Sequence, residues 1–419
     1  MGRAKAEMME AVERGWWPLE THVCADCVVD EYLKSLIETN CKSDTCNYCG
    51  RQSDKPIAAP TEVIQEAIAS AVYYYFNEPT DAGVPWDEDP LIESTDTDDV
   101  LMGVGLDCNQ DLFDDIAEAF VNSAWVPAAG GHWASSHPHQ ELSYSWESFV
   151  HTVKHETRYF FSNLETDETG EYSPSGFLKR VGALVNELPL VSRLPVGMSL
   201  YRVRERRHND DWQIGTTEMG PPPRSKASAG RMNPAGISYF YLAKELETAL
   251  AEVLSGPPCI AAHAEFKILS ELTVIDLCEI LQPSIFDDSF RDVREGLLFI
   301  KHFVETISKP VRKDGNEHID YVPSQVVSEY FAKVFRSVHD QEIHGMVYPS
   351  AVQPGGRNVV LFPPRNRQRG LDSLVEFESG ETVSYATWAD FIQAVQPRES
   401  LHMTDGLHDK IHAWRHIPD

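Results

Sequence analysis

The 419-residue sequence has no apolar run approaching the roughly 20 residues that a membrane-spanning helix needs. The opening segment, MGRAKAEMMEAVERGWW, carries charges where the core of a secretory leader would be apolar, and alanine at position 6 breaks the myristoylation pattern. A cytoplasmic protein with no membrane partner is therefore expected. Basic residues are scarce: from Pro56 to Val153 there is no Lys or Arg, against 18 Asp and Glu, within a chain of net charge −29. That excludes nucleic-acid binding over the acidic surface, because phosphate contacts need clustered cations. Cysteine is nearly absent outside one segment, with only Cys108, Cys259 and Cys278 scattered through the rest, so a secreted disulfide framework is excluded. No HExxH metalloprotease order occurs, and no His follows in a serine triad order.

The other five of the eight cysteines lie between Cys24 and Cys49. They spell CADC, an 18-residue spacer and CNYC. Cys24, Cys27, Cys46 and Cys49 form two chelating pairs of soft thiolate ligands, the pattern that suits tetrahedral Zn²⁺. Four thiolates leave no open coordination position, so the metal's expected role is structural, folding a module of residues 1–53 that is too small to hold itself together. Cys41 is a fifth candidate that could replace one of the four, and Trp16 and Trp17 are candidates to pack on the module.

Residues 54–192 read as an acidic, mainly helical domain. Ile64, Ile68, Ala71 and Tyr75 follow helical spacing after Pro60, and so do Leu112, Phe113, Ile116 and Phe120. Phe149, Val150 and Val153 open a third stripe running into Tyr159 and Phe160, and Phe177, Val181, Leu184 and Leu188 form a fourth, ended by Pro189. Residues 78–99 and 126–145 read as loops, which makes His132, His137 and His139 solvated loop histidines; His151 and His155 read as a surface pair.

From about residue 193 strand-like runs alternate with helices, which predicts an α+β fold. The strands are GMSLYRVR, Ile237–Leu242, Ala264–Ile268, Leu272–Leu277 and Val359–Phe362; the helices start near Lys244, Leu297 and Ser324. Residues 365–419 form a C-terminal extension in which Thr382–Val395 reads as a short strand and a helix.

The densest chemistry lies in GRMNPAGISYFYLAKELETALAEV, from Gly230 to Val253. Arg231 sits beside the turn residues Asn233, Pro234 and Gly236, the aromatic Tyr241 follows on a strand, and Glu252 on a helix. A planar cation suits a phosphate, a flat ring a nicotinamide or a base, and a carboxylate a sugar hydroxyl. A dinucleotide needs all three.

Tyr201-Arg202 lies upstream, and DYVPSQ with Gln325 and GMVYPSAV with Ser350 lie downstream. This ordered set, over residues 195–363, resembles the RES family, named for an arginine, a glutamate and a serine. The resemblance implies a RES domain over 193–364 with an ADP-ribosyltransferase-like curved sheet and a cleft for NAD⁺. It implies a toxin or defence effector that cleaves the nicotinamide–ribose bond, with water or phosphate as acceptor. By motif, Arg202, Arg231, Tyr241, Glu252 and Ser350 are the expected catalytic set, and Tyr201, Asn233, Gly236 and Gln325 are expected at the substrate.

In that scheme Glu252 stabilises the positive charge that develops on the ribose, and Arg202 and Arg231 hold pyrophosphate. Tyr241 stacks on nicotinamide, and Ser350 donates to a phosphate or holds Glu252 or an arginine in place. NAD⁺ is a substrate here, and the reaction needs no metal. An antitoxin or a trigger protein is an implied partner, and a homo-oligomer remains open. The acidic helical part resembles the HEPN-like regions that precede RES domains. The nuclease pattern of that class wants a His four to six residues after an Arg, and Arg158 is followed by Tyr159, Phe160, Phe161, Ser162 and Asn163. A sensing or regulatory role is therefore expected of this region. An ADP-ribosyltransferase acting on protein or nucleic acid, and a non-catalytic nucleotide-binding protein, are the alternatives.

Overall fold

The computed structural model describes residues 3–87, 89–90, 92–160, 173–206, 211–254, 256–309, 316–366 and 368–396. The residues Phe161–Asn163 that follow Arg158, and the end of the C-terminal extension from 397, lie outside them. The chain forms two compact units, Met1–Glu141 with Leu281–Gly296, and Leu142–Ile280 with Leu297–Asp419. No helix among the described residues is long and apolar enough to cross a membrane.

The first unit contains helix α1 (Arg3–Arg14), strands β1 (His22–Cys24) and β2 (Ala58–Pro60), and helices α2 (Glu31–Thr39), α3 (Glu62–Tyr75), α4 (Thr97–Gly103) and α5 (Gln110–Ala119). β1 and β2 pair antiparallel, from His22↔Pro60 to Cys24↔Ala58. Asp30 starts α2, its carboxylate accepting from the backbone N–H groups of Tyr32 and Leu33, and Asn109 does the same for α5 with Asp111 and Leu112. The expected stripes face inward: Ile64 and Ile68 of α3 and Leu112 and Ile116 of α5 join Val23, Leu33, Ile37 and Trp125 in one core. Cys24, Cys27, Cys46 and Trp16 belong to the same core, whereas Trp17 is 43% exposed.

The third stripe departs from expectation. Helix α6 runs Pro138–His151 and passes into a π-turn over Thr152–Glu156, so it begins inside the expected loop and ends before Tyr159 and Phe160, which are exposed. Pro138 fits a first turn, where its missing N–H has no partner to lose, and the Gln140 side chain reaches back to accept from the His137 N–H.

The histidines change accordingly. His137 is buried against the rings of Tyr74 and Tyr75, and burial lowers its pKa. His139 Nδ1 lies 2.6 Å from Glu295 Oε2; Glu295 is itself buried and also accepts from the Tyr75 hydroxyl. Neither is a solvated loop histidine. His151 and His155 remain at the surface, with His151 Nδ1 3.0 Å from Glu156.

The second unit is built on an eight-stranded mixed sheet of β3 (Val191–Leu194), β4 (Ser199–Arg206), β5 (Phe240–Ala243), β6 (Cys259–Ile268), β7 (Leu272–Asp276), β8 (Gly345–Pro349), β9 (Arg357–Leu361) and β10 (Val375–Tyr385). Its spatial order is β10-β6-β4-β5-β9-β8-β7-β3. Only β7 and β8 pair parallel; the other neighbours are antiparallel. Helices α7 (Pro174–Glu187), α8 (Leu246–Val253), α9 (Arg291–Ser308), α10 (Val322–Lys333) and α11 (Trp388–Val395) accompany it.

Along β6, Ala262, Ala264, Phe266 and Ile268 are buried while His263, Glu265 and Lys267 are not, the period of two that marks a strand. The opposite face carries Val203, Ala243 and Ala261, covered by Ala249 and Leu250 of α8 and Phe391 of α11. A fully buried side chain such as Phe266 contributes about 1.5–3 kcal/mol.

The expected strand over Ile237–Leu242 is shorter, beginning at Phe240. The Asn233 amide donates to the carbonyls of Pro234 and Ile237, and Ser238 donates to Pro222, so this backbone is committed to a turn. Lys244 still belongs to the sheet, its N–H bonded to Arg357 O, which delays α8 to Leu246. The late strand is longer than expected: β10 pairs with β6 from Cys259↔Tyr385 to Ile268↔Val375, with a bulge between Glu265 and Phe266.

Candidate active site

Residues of four adjacent strands line a cavity of about 230 Å³, with the Arg202 side chain turned to the sheet face that carries Leu200 and Phe240 and Tyr201 turned to the face covered by α8. β4 supplies Tyr201 and Arg202, β5 Tyr241, β9 Asn358 and β8 Tyr348; α8 supplies Glu252. The register brings them together, with Tyr201 opposite Ala243, Tyr241 opposite Val360 and Tyr348 opposite Asn358.

Three acids compete on or beside α8, and the structure separates two of them. Glu245, just before the helix, accepts from Arg357 Nε at 2.7 Å and from Arg357 N at 2.9 Å, which pins the start of α8 to β9. Glu252 lies seven residues on, two helical turns later and so on the same face. It meets the neighbouring residue of β9: Asn358 Nδ2 donates to Glu252 Oε1 at 2.6 Å, and Ser350 Oγ donates to the same oxygen at 2.7 Å. Ser350 in turn accepts from the N–H groups of Val352 and Gln353, which fixes its hydroxyl toward Glu252. Among the described residues Oε2 has no hydrogen-bond partner. Glu252 is exposed, as a group that meets substrate must be.

Arg202 is largely enclosed. Its Nη1 donates to Gly220 O at 2.7 Å and its guanidinium lies 5.0 Å from the centre of the Phe240 ring. Burial, helped by the charge of Arg204, pulls its pKa down to about 10, so it stays a cation at neutral pH. Tyr241 is fixed at its hydroxyl, which donates to Asn233 Oδ1 at 2.7 Å and accepts from Met232 N at 3.0 Å. Gly230 makes this possible, because a Cβ there would lie 2.8 Å from both Asn233 Oδ1 and the Tyr241 hydroxyl.

The remaining expected residues are placed around this turn and do not line the cavity. Gln325 Nε2 donates to Gly230 O and Asn233 O, Ser324 donates to Arg231 O, and Ser328 to Met232 O, so one face of α10 clamps the GRMN turn. Arg231 Nη1 donates to the carbonyls of Ile307 and Lys309 at the end of α9. Its positive charge still reaches Tyr241 and Tyr348, where it opposes the rise in pKa that burial causes. Gly236 supplies the turn with a left-handed φ of +85°.

Asn358 and Tyr348 are absent from the expected set. The signal for Asn358 is faint but present: an amide opening the run NVVLF is a polar group in a buried strand, which needs a partner to offset its desolvation.

The cysteine cluster is a separate centre in the first unit. The sulfurs of Cys24, Cys27, Cys46 and Cys49 lie within 4.8 Å of one another, with Sγ–Sγ distances of 3.8 Å (Cys24–Cys27), 3.5 Å (Cys24–Cys49) and 3.7 Å (Cys27–Cys46). Zn–S bonds of about 2.3 Å in a tetrahedron set their sulfurs about 3.8 Å apart, so the four thiols fit a metal ion. Burial raises the Cys46 pKa, but the backbone N–H groups of Cys49, Tyr48 and Cys24 outweigh it and bring the thiol to about 7. Cys41 is outside the cluster; its thiol bonds Ile37 O at the end of α2.

Two family models match the chain: HEPN/RES N-terminal domain 1 over residues 39–167, and the RES domain over residues 199–378. No curated protein matches it. The RES match takes in Tyr201, Arg202, Tyr241, Glu252, Ser350 and Asn358 and is consistent with an enzyme that acts on NAD⁺. The chain carries a HEPN/RES N-terminal domain 1 ahead of a RES domain.

Proposed function

We propose that the Glu252 cavity cleaves the bond between nicotinamide and ribose in NAD⁺ and passes the ADP-ribosyl group to water or phosphate. The observation that carries this reading is the Glu252 carboxylate. Ser350 and Asn358 both bind Oε1, which leaves Oε2 directed by two fixed donors and available to a ligand. When the glycosidic bond breaks, its electron pair goes to the nicotinamide nitrogen and neutralises the pyridinium. The ribose is left with an oxocarbenium-like charge. A carboxylate held beside it stabilises that charge without reorganising. Arg202 comes to the pyrophosphate by leaving Gly220 O and the Phe240 ring, Tyr201 and Tyr241 offer rings to nicotinamide, and Asn233 and Gln325 position Tyr241 through the turn. Arg231 comes to the phosphate only by exchanging its carbonyl partners at Ile307 and Lys309 for it.

The module of residues 1–53 is proposed to carry one structural Zn²⁺, the helical region 54–192 to govern when the RES domain acts, and the whole to work as a toxin or defence effector. The test is to incubate the purified full chain with NAD⁺, with and without phosphate, and to follow free nicotinamide. Release that Glu252→Gln reduces by roughly 100-fold or more is expected. The products name the acceptor: ADP-ribose for water, its 1″-phosphate for phosphate, a labelled macromolecule for an ADP-ribosyltransferase. No release under any of these conditions, cell extract included, would leave only a nucleotide-binding protein.

A further inference from the structure

A second and larger cavity of the RES-containing unit, about 750 Å³, shares no lining residue with the Glu252 cavity. Arg224, Lys333, Arg336, Arg365 and Arg369 line it, and no Asp or Glu does. Five cations around one hollow stand out in a chain with 36 basic and 65 acidic residues. Nearby acids do not cancel them. Asp340 lies 3.6 Å from Arg336 Nε, Glu342 accepts from the backbone N–H of Arg365, and Glu329 and Glu342 act on Lys333, but all three sit outside the lining.

Arg336 is paired with Asp340, and the other four divide by role. Arg365 builds the wall, donating to Ala332 O and Phe335 O at the end of α10, and Lys333 donates to Pro363 O. Arg224 and Arg369 are exposed and have no acidic partner among the described residues. Lys333 is pulled below its ordinary pKa by burial and by the charges of Arg365 and Arg224, against the opposing pull of Glu342 and Glu329. Like charges gathered in one concave site repel unless an anion lies among them.

We propose that this cleft binds a nucleotide-sized anion through its phosphate groups, at a site separate from the Glu252 cavity. Arginine forks and a lysine match phosphate oxygens. Stiff proline segments, 221–223 and 363–364, with Ile237 and Leu371, give apolar walls for a base or a sugar. The volume falls within the range of small-ligand pockets, about 300–1,000 Å³. A net charge of −29 repels an extended polyanion, which favours a small ligand over a nucleic acid.

The site is also placed to act on the other one. β5 and β9 pair from Phe240↔Leu361 to Ala243↔Asn358. The cleft lies at the first end, with Ser238 and Pro363, and Asn358 binds Glu252 at the second. Five steps of extended chain separate Asn358 from Pro363, about 17 Å. The turn 230–236 links them, since Gly236 lines the cleft and Asn233 holds Tyr241.

The test is calorimetric titration of the full chain with ADP and, separately, with inorganic pyrophosphate. The proteins are wild type, Glu252→Gln and the double variant Arg224→Ser/Arg369→Ser, whose exposed positions leave the fold intact, as circular dichroism checks. ADP and pyrophosphate are expected to bind wild type and Glu252→Gln alike, more weakly as NaCl rises. The double variant is expected to lose about tenfold or more in affinity for both. The proposal is overturned if wild type binds no ADP at millimolar concentration, if the double variant binds ADP as wild type does, if Glu252→Gln abolishes binding, or if only an RNA oligonucleotide is bound. The titration reads binding alone, so its outcome is independent of nicotinamide release.

Discussion

Two donors on one carboxylate oxygen give Glu252 a direction as well as a charge. Ser350 belongs to the YPS element, and Asn358, which opens the NVVLF strand, contributes the shorter of the two bonds, 2.6 against 2.7 Å. Asn358→Ala is therefore expected to lower kcat for nicotinamide release roughly 10- to 100-fold while KM changes little, because a carboxylate that swings away misplaces the charge at the bond being broken. Asn358→Asp is expected to be worse and to displace the acid limb of the pH–rate profile upward, since a second carboxylate beside Glu252 favours its protonated form. A kcat within twofold of wild type for Asn358→Ala would remove Asn358 from the site. The sequence pointed to Glu252, Ser350 and Arg202 because those positions sit inside ordered motifs. It did not point to Asn358, because the β8–β9 register that sets it opposite Tyr348 is a tertiary fact. The Arg231 contacts were hidden for the same reason: the carbonyls of Ile307 and Lys309 lie more than seventy residues away in the chain.

Among the elements, those with a clear period were legible. The alternation in β6 and the stripes of α3, α5 and α7 emerge close to where the residues place them. α6 emerged only in part: Leu142, Trp146, Phe149 and Val153 stand at helical spacing and are buried, but the helix starts in a His-, Pro- and Ser-rich segment that reads as a loop, and that start depends on one side chain, Gln140, reaching back to His137. The cysteine module is the element whose stability is most exposed to a single change. Cys24, Cys27 and Cys46 share a core with Val23 of β1, Ala58 of β2 and Leu33 and Ile37 of α2. A metal joining the two CxxC pairs therefore ties β1 to the loop that follows α2. Metal analysis should find about one Zn²⁺ per chain. A strong chelator, or Cys24→Ser/Cys46→Ser, should lower the melting temperature markedly and loosen α2, read by hydrogen exchange. Cys41→Ser should match wild type in metal content, since its thiol serves only the end of α2. A folded wild type free of metal would overturn the zinc assignment.

Charge is the property that belongs to the molecule as a whole, and it is divided unequally. The unit made of Met1–Glu141 and Leu281–Gly296 holds 9 Lys and Arg against 31 Asp and Glu, a net of −22 out of −29; the other unit, with 27 against 34, holds −7 and contains the basic cleft. Crowded like charges destabilise a compact unit through self-repulsion, which salt screens over a Debye length of about 10 Å at 0.1 M. Helix α5 shows the effect locally. It ends in Ala119 with no basic residue in its last turn, where the helix dipole favours a cation, and exposed Glu118 stands there instead. Glu118→Lys replaces an unfavourable interaction with the helix end by a favourable one and removes two units of negative charge from the crowded unit. The gain expected at low ionic strength is about 0.3–1 kcal/mol, or roughly 1–3 °C in melting temperature. Raising NaCl from about 10 to 150 mM should raise the melting temperature of wild type and shrink the advantage of the variant, because both effects are electrostatic at an exposed surface. Melting curves of the two proteins across that range decide the matter. A wild-type melting temperature that falls with salt would mean that attractive ion pairs outweigh repulsion in the acidic unit. An advantage that persists at 150 mM would mean that Glu118→Lys acts through packing and not through charge.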